Sequence, residues 1–186
     1  MAQMVVRYGY LWGLRASEYG MLDLDCLNSL HDRRLVYIRR AKGGLSSWQK
    51  VGEGDVAALQ TWVRDHYPDP HKRKPNWPLF PAPFAWKGQT LRPVSRFTIW
   101  RLIQRLCATS NIERGLAHPH VLRHSRVMHL LENAKAQGLT PGDLTPVVAS
   151  IVGHTTARTT IEHYFSISEG AQAAVDRVTA ALLEGD

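Results

Sequence analysis

The chain has 186 residues, 44% hydrophobic and 21% charged, enough for one compact domain with its own core. Its two cysteines, Cys26 and Cys107, stand far apart and outside CxxC spacing, which argues against a disulfide framework or a cysteine-based zinc site. The net charge of +7 is uneven: Glu169, Asp176, Glu184 and Asp186 against Arg177 give residues 169–186 a local −3, leaving +10 on the preceding 168 residues. A basic body with an acidic tail favours a polyanionic partner such as nucleic acid, the alternative being a solvated basic surface with none. Nothing near the N-terminus reads as a signal peptide, and no apolar run approaches a bilayer span, so the expectation is a soluble cytosolic protein.

In chain order, Met4 to Leu14 carries a helical stripe at positions 4, 8, 11 and 12, broken by Gly13. Ala16 to Leu22 predicts a short helix, with Leu24 and Leu27 leading onward. Arg34 to Arg40 is rich in β-formers and predicts a strand, Gly43-Gly44 a turn, and Leu45 to Val51 the returning strand of a hairpin. Asp55 to His66 predicts an amphipathic helix with Val56, Leu59 and Val63 on one side. Residues 67–93 hold most of the ten prolines and the basic run Lys72, Arg73 and Lys74; they read as a long loop or a linker between subregions.

Helical spacing resumes from Val94 to Ser110 through Ile99, Leu102, Ile103 and Leu106. Pro119 opens a further helix to about Gln137, stopped by Gly138, and Thr145-Pro146 opens another, closed by Gly153. A helix carrying Ile161 and Tyr164 follows. The tail has apolar residues at 171, 174, 175, 178 and 182, again a helical stripe. The fold class is mainly α with one small antiparallel sheet.

Four stretches carry candidate chemistry. Gly13-Leu14-Arg15-Ala16-Ser17-Glu18 sets Arg15 at the mouth of a short helix with Glu18 one turn on, an arrangement that an ordinary surface pair also gives. Lys42 stands at the tip of the basic hairpin Arg39-Arg40-Ala41-Lys42-Gly43-Gly44, either keeping an exposed turn soluble or offering a mobile ammonium to a groove. In His118-Pro119-His120-Val121-Leu122-Arg123-His124-Ser125, His120 and Arg123 share a helix face at i, i+3 with Val127, Leu130 and Ala134. That start of a helix is where an anion is favoured, though a core histidine with a snorkelling arginine reads equally well. Last comes Gly153-His154-Thr155-Thr156-Ala157-Arg158-Thr159-Thr160-Ile161-Glu162-His163-Tyr164-Phe165, in which Tyr164 alone would more often be a core residue.

Taken in this order, Arg-x-x-Glu, a lysine on a β-turn, His-x-x-Arg, Gly-His and a tyrosine ten residues later, the set resembles the tyrosine recombinase (phage integrase) family over residues 5 to 165. The resemblance implies the catalytic-domain fold of that family and a nucleophile, Tyr164, that attacks a DNA phosphate to give a 3′-phosphotyrosyl link. It implies that Arg15 and Arg123 hold the nonbridging oxygens and that Lys42 protonates the leaving 5′-oxygen. His120 aids deprotonation or steadies the phosphate, His154 hydrogen-bonds it, and Glu18 orients its neighbours. Arg39, Arg40, Lys72, Arg73 and Lys74 are then candidate DNA contacts. Neither ATP nor a metal is implied, because the phosphotyrosine conserves the bond energy. The implied partners are double-stranded DNA and further copies of the chain, as a tetramer, in a cytoplasmic, nucleoid-associated setting.

On this reading residues 1–168 form the catalytic domain. Residues 169–186 form a helical tail that either docks on a neighbouring protomer or folds back on its own domain. Most members of the family carry an N-terminal clamp domain, and with Arg15 almost at the start the expectation is either the excised catalytic half of a longer protein or a small invertase-like member that works without that domain. A type IB topoisomerase, a telomere resolvase and an idle DNA-binding relative are the alternatives. DNA site and reaction outcome (integration, excision or inversion) stay open.

Overall fold

The computed structural model describes residues 1–83, 91–110, 112, 113, 115, 117–138, 146, 148, 149 and 151–153. Within them the protein is mostly helical with a two-stranded antiparallel sheet. Helix α1 (Ala2–Leu11) is the centrepiece: Val5, Val6, Tyr8 and Gly9 are buried, and it packs against α4 (Arg96–Thr109) and α5 (His120–Ala136). Gly9 permits that approach, since a Cβ there would run into the Tyr19 hydroxyl and come within 2.8 Å of Leu122 Cδ1. Tyr19 uses the same hydroxyl to donate to the Val5 carbonyl at 2.6 Å, so burying it costs no lost hydrogen bond.

The segment expected as one helix over 16–22 is only a single 3₁₀ turn, Tyr19–Met21, followed by a second at Leu24–Leu27 and one α-turn, α2 (Leu30–Arg33). Within the interruption Gly20 lies against backbone from elsewhere: a Cβ there would be 2.8 Å from the Val94 carbonyl, so the segment is packed by a contact distant in sequence. The hairpin forms as expected but shorter. Strands β1 (Leu35–Ile38) and β2 (Ser47–Lys50) pair in the register Leu35↔Lys50 to Ile38↔Ser47, with the rings of Tyr37 and Trp48 in tilted contact across the outer face, centres 5.1 Å apart. Arg40 leaves the ladder because its N–H is taken by Ser46 Oγ at 3.0 Å. Helix α3 (Glu53–His66) buries Leu59 and Trp62.

Residues 67–83 and 91–93, read from sequence as a long loop or a linker between subregions, form with Val94 a strap across the core. Leu79 and Phe80 are fully buried, and the strap's backbone is paired: Leu24 N–H donates to Trp77 O, Leu79 N–H to Leu22 O, and Val94 N–H to Phe80 O. Trp62 Nε1–H and Tyr67 Oη–H donate to the carbonyls of Leu79 and Pro78. An irregular segment can be buried when its polar groups find such partners. Helix α4 starts at a Ser95 cap that accepts from Thr98 N–H, and α5 ends at Gly138, whose φ is +74°. A second small core joins Val127 of α5 to Val148 and Val152, in the helical stretch expected before Gly153. The helix expected around Tyr164 and the tail stripe lie outside the described residues.

Candidate functional site

The site begins where α1 stops. Gly13 adopts φ +56°, its N–H donates to Tyr10 O, and Leu14 N–H donates back to Gly9 O, the paired bonds of a Schellman cap. This reversal buries Leu14 and leaves the Gly13 carbonyl as an acceptor for two arginines. Arg123 Nη1 donates to it at 2.7 Å and Arg40 Nη1 at 3.3 Å.

One turn on, Glu18 is wholly buried, and four donors converge on its carboxylate. Oε2 accepts from the Arg15 N–H at 2.9 Å and Arg40 Nη1 at 3.0 Å; Oε1 accepts from Arg15 Nη1 at 2.8 Å and the Ala41 N–H at 3.1 Å. Burial by itself pushes the carboxyl upward. The Arg15 N–H, the Arg40 charge, the Ala41 N–H and the Arg15 guanidinium more than reverse this, and Glu18 is held below its ordinary value. A buried carboxylate is tolerable only with such a full set of donors. The same bonds fix the Arg15 segment to the hairpin tip at Ala41.

Lys42 follows directly, exposed and in the left-handed region at φ +55°. Gly44 N–H closes the turn on Ala41 O, and Gly44 itself lies against the third segment: a Cβ there would be 2.7 Å from the Gly153 carbonyl. Gly153 (φ +67°) is in turn packed on the Arg40 side chain. The backbone at 13–18, 41–44 and 151–153 is thereby brought together.

Helix α5 adds the fourth segment. Arg123 is buried on the face that continues through Val127, whereas His120 sits at the exposed start of the helix. The imidazole is held below its ordinary value, first by desolvation and then by the positive charges of His118, Arg123, Arg15 and Lys42. His120 thus lies in the combined field of three cations from three separate parts of the chain, and at neutral pH it is the uncharged member. Such a grouping suits a tetrahedral anion: two guanidiniums, an ammonium and a neutral imidazole. Arg15, Lys42, His120 and Arg123 are gathered here. His154 and Tyr164 lie outside the described residues, though His154 follows Gly153 in the chain.

The expected DNA contacts fare differently. Arg40 is buried with its guanidinium against Glu18, Trp12 O, Gly13 O and Ile151 O, so it is not a surface contact. Strand alternation explains this: 36, 38 and 40 share a side, and Val36 and Ile38 face the core. That periodicity was the signal available in the sequence. Arg39 points the other way and is tied down by Asp23 at 2.6 Å and Asp25 at 2.9 Å. Lys72 is exposed and pairs with Asp69, while Arg73 donates to Tyr67 O. Arg73 and Lys74 border a cavity of about 310 Å³ that none of the four gathered residues lines.

One basic surface had no counterpart among the residues singled out from sequence. On α4, Phe97, Arg101 and Arg105 are exposed on the side away from Ile99, Ile103 and Cys107, with Trp100 exposed on the flank and Arg96 exposed in the first turn. Phe97 and Trp100 are 63% and 47% exposed, and the Arg96 guanidinium lies 4.9 Å from the Phe97 ring centre. Arginines at 101 and 105, one turn apart and out of phase with the buried stripe of the same helix, were the sequence signal for it.

Comparison with known proteins gives one consistent result. The profile of the phage integrase family matches residues 2–170. The chain is 30% identical over 151 residues to the tyrosine recombinase XerD of Staphylococcus saprophyticus, covering 81% of this chain and 45% of that protein. It is 29% identical over 185 residues to the tyrosine recombinase XerC of Alcanivorax borkumensis, covering 94% and 53%. Among solved structures, the crystal structure of XerA recombinase superposes with a TM-score of 0.66 at 21% identity, over 92% of this chain and 56% of that one. The chain therefore spans about half the length of the curated relatives it matches.

Proposed function

The chain belongs to the phage integrase family of tyrosine recombinases, and from that premise we propose that it cuts and rejoins duplex DNA through Tyr164. The observation that carries the proposal is the convergence of Arg15, Lys42 and Arg123 on the neutral His120, fixed in place by Glu18 and the Gly13 carbonyl. A phosphodiester is an anion whose transition state holds more charge on its nonbridging oxygens, and preorganised guanidiniums favour that state over the ground state.

In the proposed step the Tyr164 oxygen attacks phosphorus. A phenol is mostly protonated near neutral pH, so its proton must pass to a base, for which the uncharged His120 is suited. The bond from phosphorus to the 5′-oxygen breaks, and that oxygen takes its proton from the Lys42 ammonium. His154 contributes a hydrogen bond to the phosphate. A 5′-hydroxyl then attacks the phosphotyrosyl phosphorus, the bond to Tyr164 breaks, and the tyrosine regains its proton. The bond count is unchanged, so the proposed reaction draws on no ATP, and the arginines and Lys42 take the charge-stabilising role that a metal would otherwise fill. The exposed arginines and aromatics of α4 supply further surface for the DNA backbone and bases. A tetramer on DNA, linked through the tail 169–186, completes the proposal.

The test is covalent capture. The full chain is incubated with a random-sequence pool of nicked duplexes, which trap the cut state, and then denatured in detergent. A protein–DNA adduct is expected from the wild type and none from Tyr164→Phe, while gel-shift affinity for the captured duplexes is retained. Absence of any adduct from the wild type sinks the proposal.

A further inference from the structure

Arg40 is bonded to several separate segments of the site. Its Nη1 donates to Glu18 Oε2 and to Gly13 O, its Nη2 to Trp12 O at 2.7 Å and to Ile151 O, and its N–H to Ser46 Oγ. Its side-chain carbons and Nε fill the space that a Cβ on Gly153 would need. One buried guanidinium therefore joins the end of α1, the Glu18 carboxylate, the hairpin and the turn that leads into His154. A lysine could not do this, since a single ammonium lacks the planar fork that reaches the Glu18 carboxylate and the carbonyls together.

We propose that Arg40 is a positioning residue: with Glu18, and packed against Gly153, it clamps the hairpin so that the Lys42 ammonium meets the leaving 5′-oxygen. The inference rests on the phosphotyrosine reading above. The route to Lys42 is short and specific. Glu18 accepts from Arg40 and from the Ala41 N–H at once, and Ala41 is the residue immediately before Lys42. Lys42 is itself exposed, and among the described residues it is the turn carrying it that sets its reach. Replacing Arg40 removes one of the two cations on Glu18, loosens the carboxylate on which the Ala41 N–H rests, and opens the contact between the hairpin and Gly153.

The test compares leaving groups in the full chain. A duplex captured by the wild type is made with either oxygen or sulfur at the 5′-bridging position of the scissile phosphate. A thiolate leaves without a proton, so a defect in delivery by Lys42 affects the oxygen substrate alone. Arg40→Met is expected to slow single-turnover cleavage of the oxygen substrate by about 100-fold, in the range of a lost general acid. Cleavage of the sulfur substrate should stay within a few-fold of wild type, as should that by Lys42→Ala used as reference. Equal loss on both substrates overturns the assignment and leaves Arg40 a stability residue. If Arg40→Met does not melt cooperatively, Arg40→Lys, which keeps the charge without the fork, is read by the same sulfur-to-oxygen ratio. Amide exchange at Ala41 separates this idea from the wider one. Should the wild type form no adduct, the phosphotyrosine reading fails, while faster exchange at Ala41 in the variant would still support the clamp. Unchanged exchange would refute it.

Discussion

Replacing Gly153 with alanine probes the packing that holds the site together, and its cost can be worked from the geometry. The added Cβ would lie 2.6 Å from Arg40 Cγ, 2.9 Å from Cδ and 3.0 Å from Nε. Arg40 cannot swing aside without giving up its bonds to Glu18, Trp12 O, Gly13 O and Ile151 O. Overpacking of this kind costs about 1–3 kcal/mol. Holding alanine at φ +67° adds roughly 1–2 kcal/mol, and the reduced freedom of the unfolded chain returns about 0.4–1 kcal/mol. The net loss is roughly 2–4 kcal/mol, or about 5–12 °C in Tm for a chain of this size. The assay is thermal unfolding of a double-mutant cycle with Arg40→Ala. In that background the clash is gone and only the backbone strain remains, so Gly153→Ala should then cost about 1 kcal/mol. If the two substitutions are additive, the contact between Gly153 and Arg40 is not what the alanine disturbs, and the reasoning fails.

Other outcomes follow from the same geometry. Lys42→Gly should leave stability within about 1 kcal/mol of wild type, because relief of the left-handed strain at φ +55° offsets the added freedom of the unfolded chain. The same change should slow cleavage by about 10²–10⁴-fold, and a parallel fall in Tm would show that the lysine serves the fold instead. His120, followed by NMR, should titrate below the ordinary histidine value of 6.5, its imidazolium disfavoured first by desolvation and then by His118, Arg123, Arg15 and Lys42. The sign follows: between the folded and unfolded values the unfolded chain binds more protons, so this group lowers stability as pH falls through about 6.5 and levels off below its folded value. A bound phosphodiester should raise the His120 value by offsetting those charges, and a titration unmoved by DNA would mean the phosphate binds elsewhere.

How much of this was legible beforehand varies with the kind of interaction that decides it. Helices α1, α3, α4 and α5 and the hairpin follow from local periodicity, since burial of one face is a property of the segment itself. The interrupted 16–22 stretch did not follow; at Gly20 it is packed against Val94, more than seventy positions away. Residues 67–83, read as a long loop or a linker, are irregular as expected, but that they form a buried strap did not follow. Its hydrogen bonds go to irregular partners such as Leu22 and Leu24, and pairing of that kind leaves no period in the sequence.

By itself the sequence determined the chemical inventory: two arginines, a lysine, histidines and a tyrosine in an order that resembles one family, on elements of recognisable type. Those groups are chemically active only through their neighbours, and neighbours more than a hundred residues apart are chosen by packing. Tertiary structure alone decided that Gly13 O accepts from Arg123, that Glu18 ties Arg15 to the turn before Lys42, and that Arg40 belongs inside with them. The physical reason is desolvation. A buried carboxylate and a buried guanidinium are stable only where several segments supply donors and acceptors at one point, and that point exists only once the chain has folded.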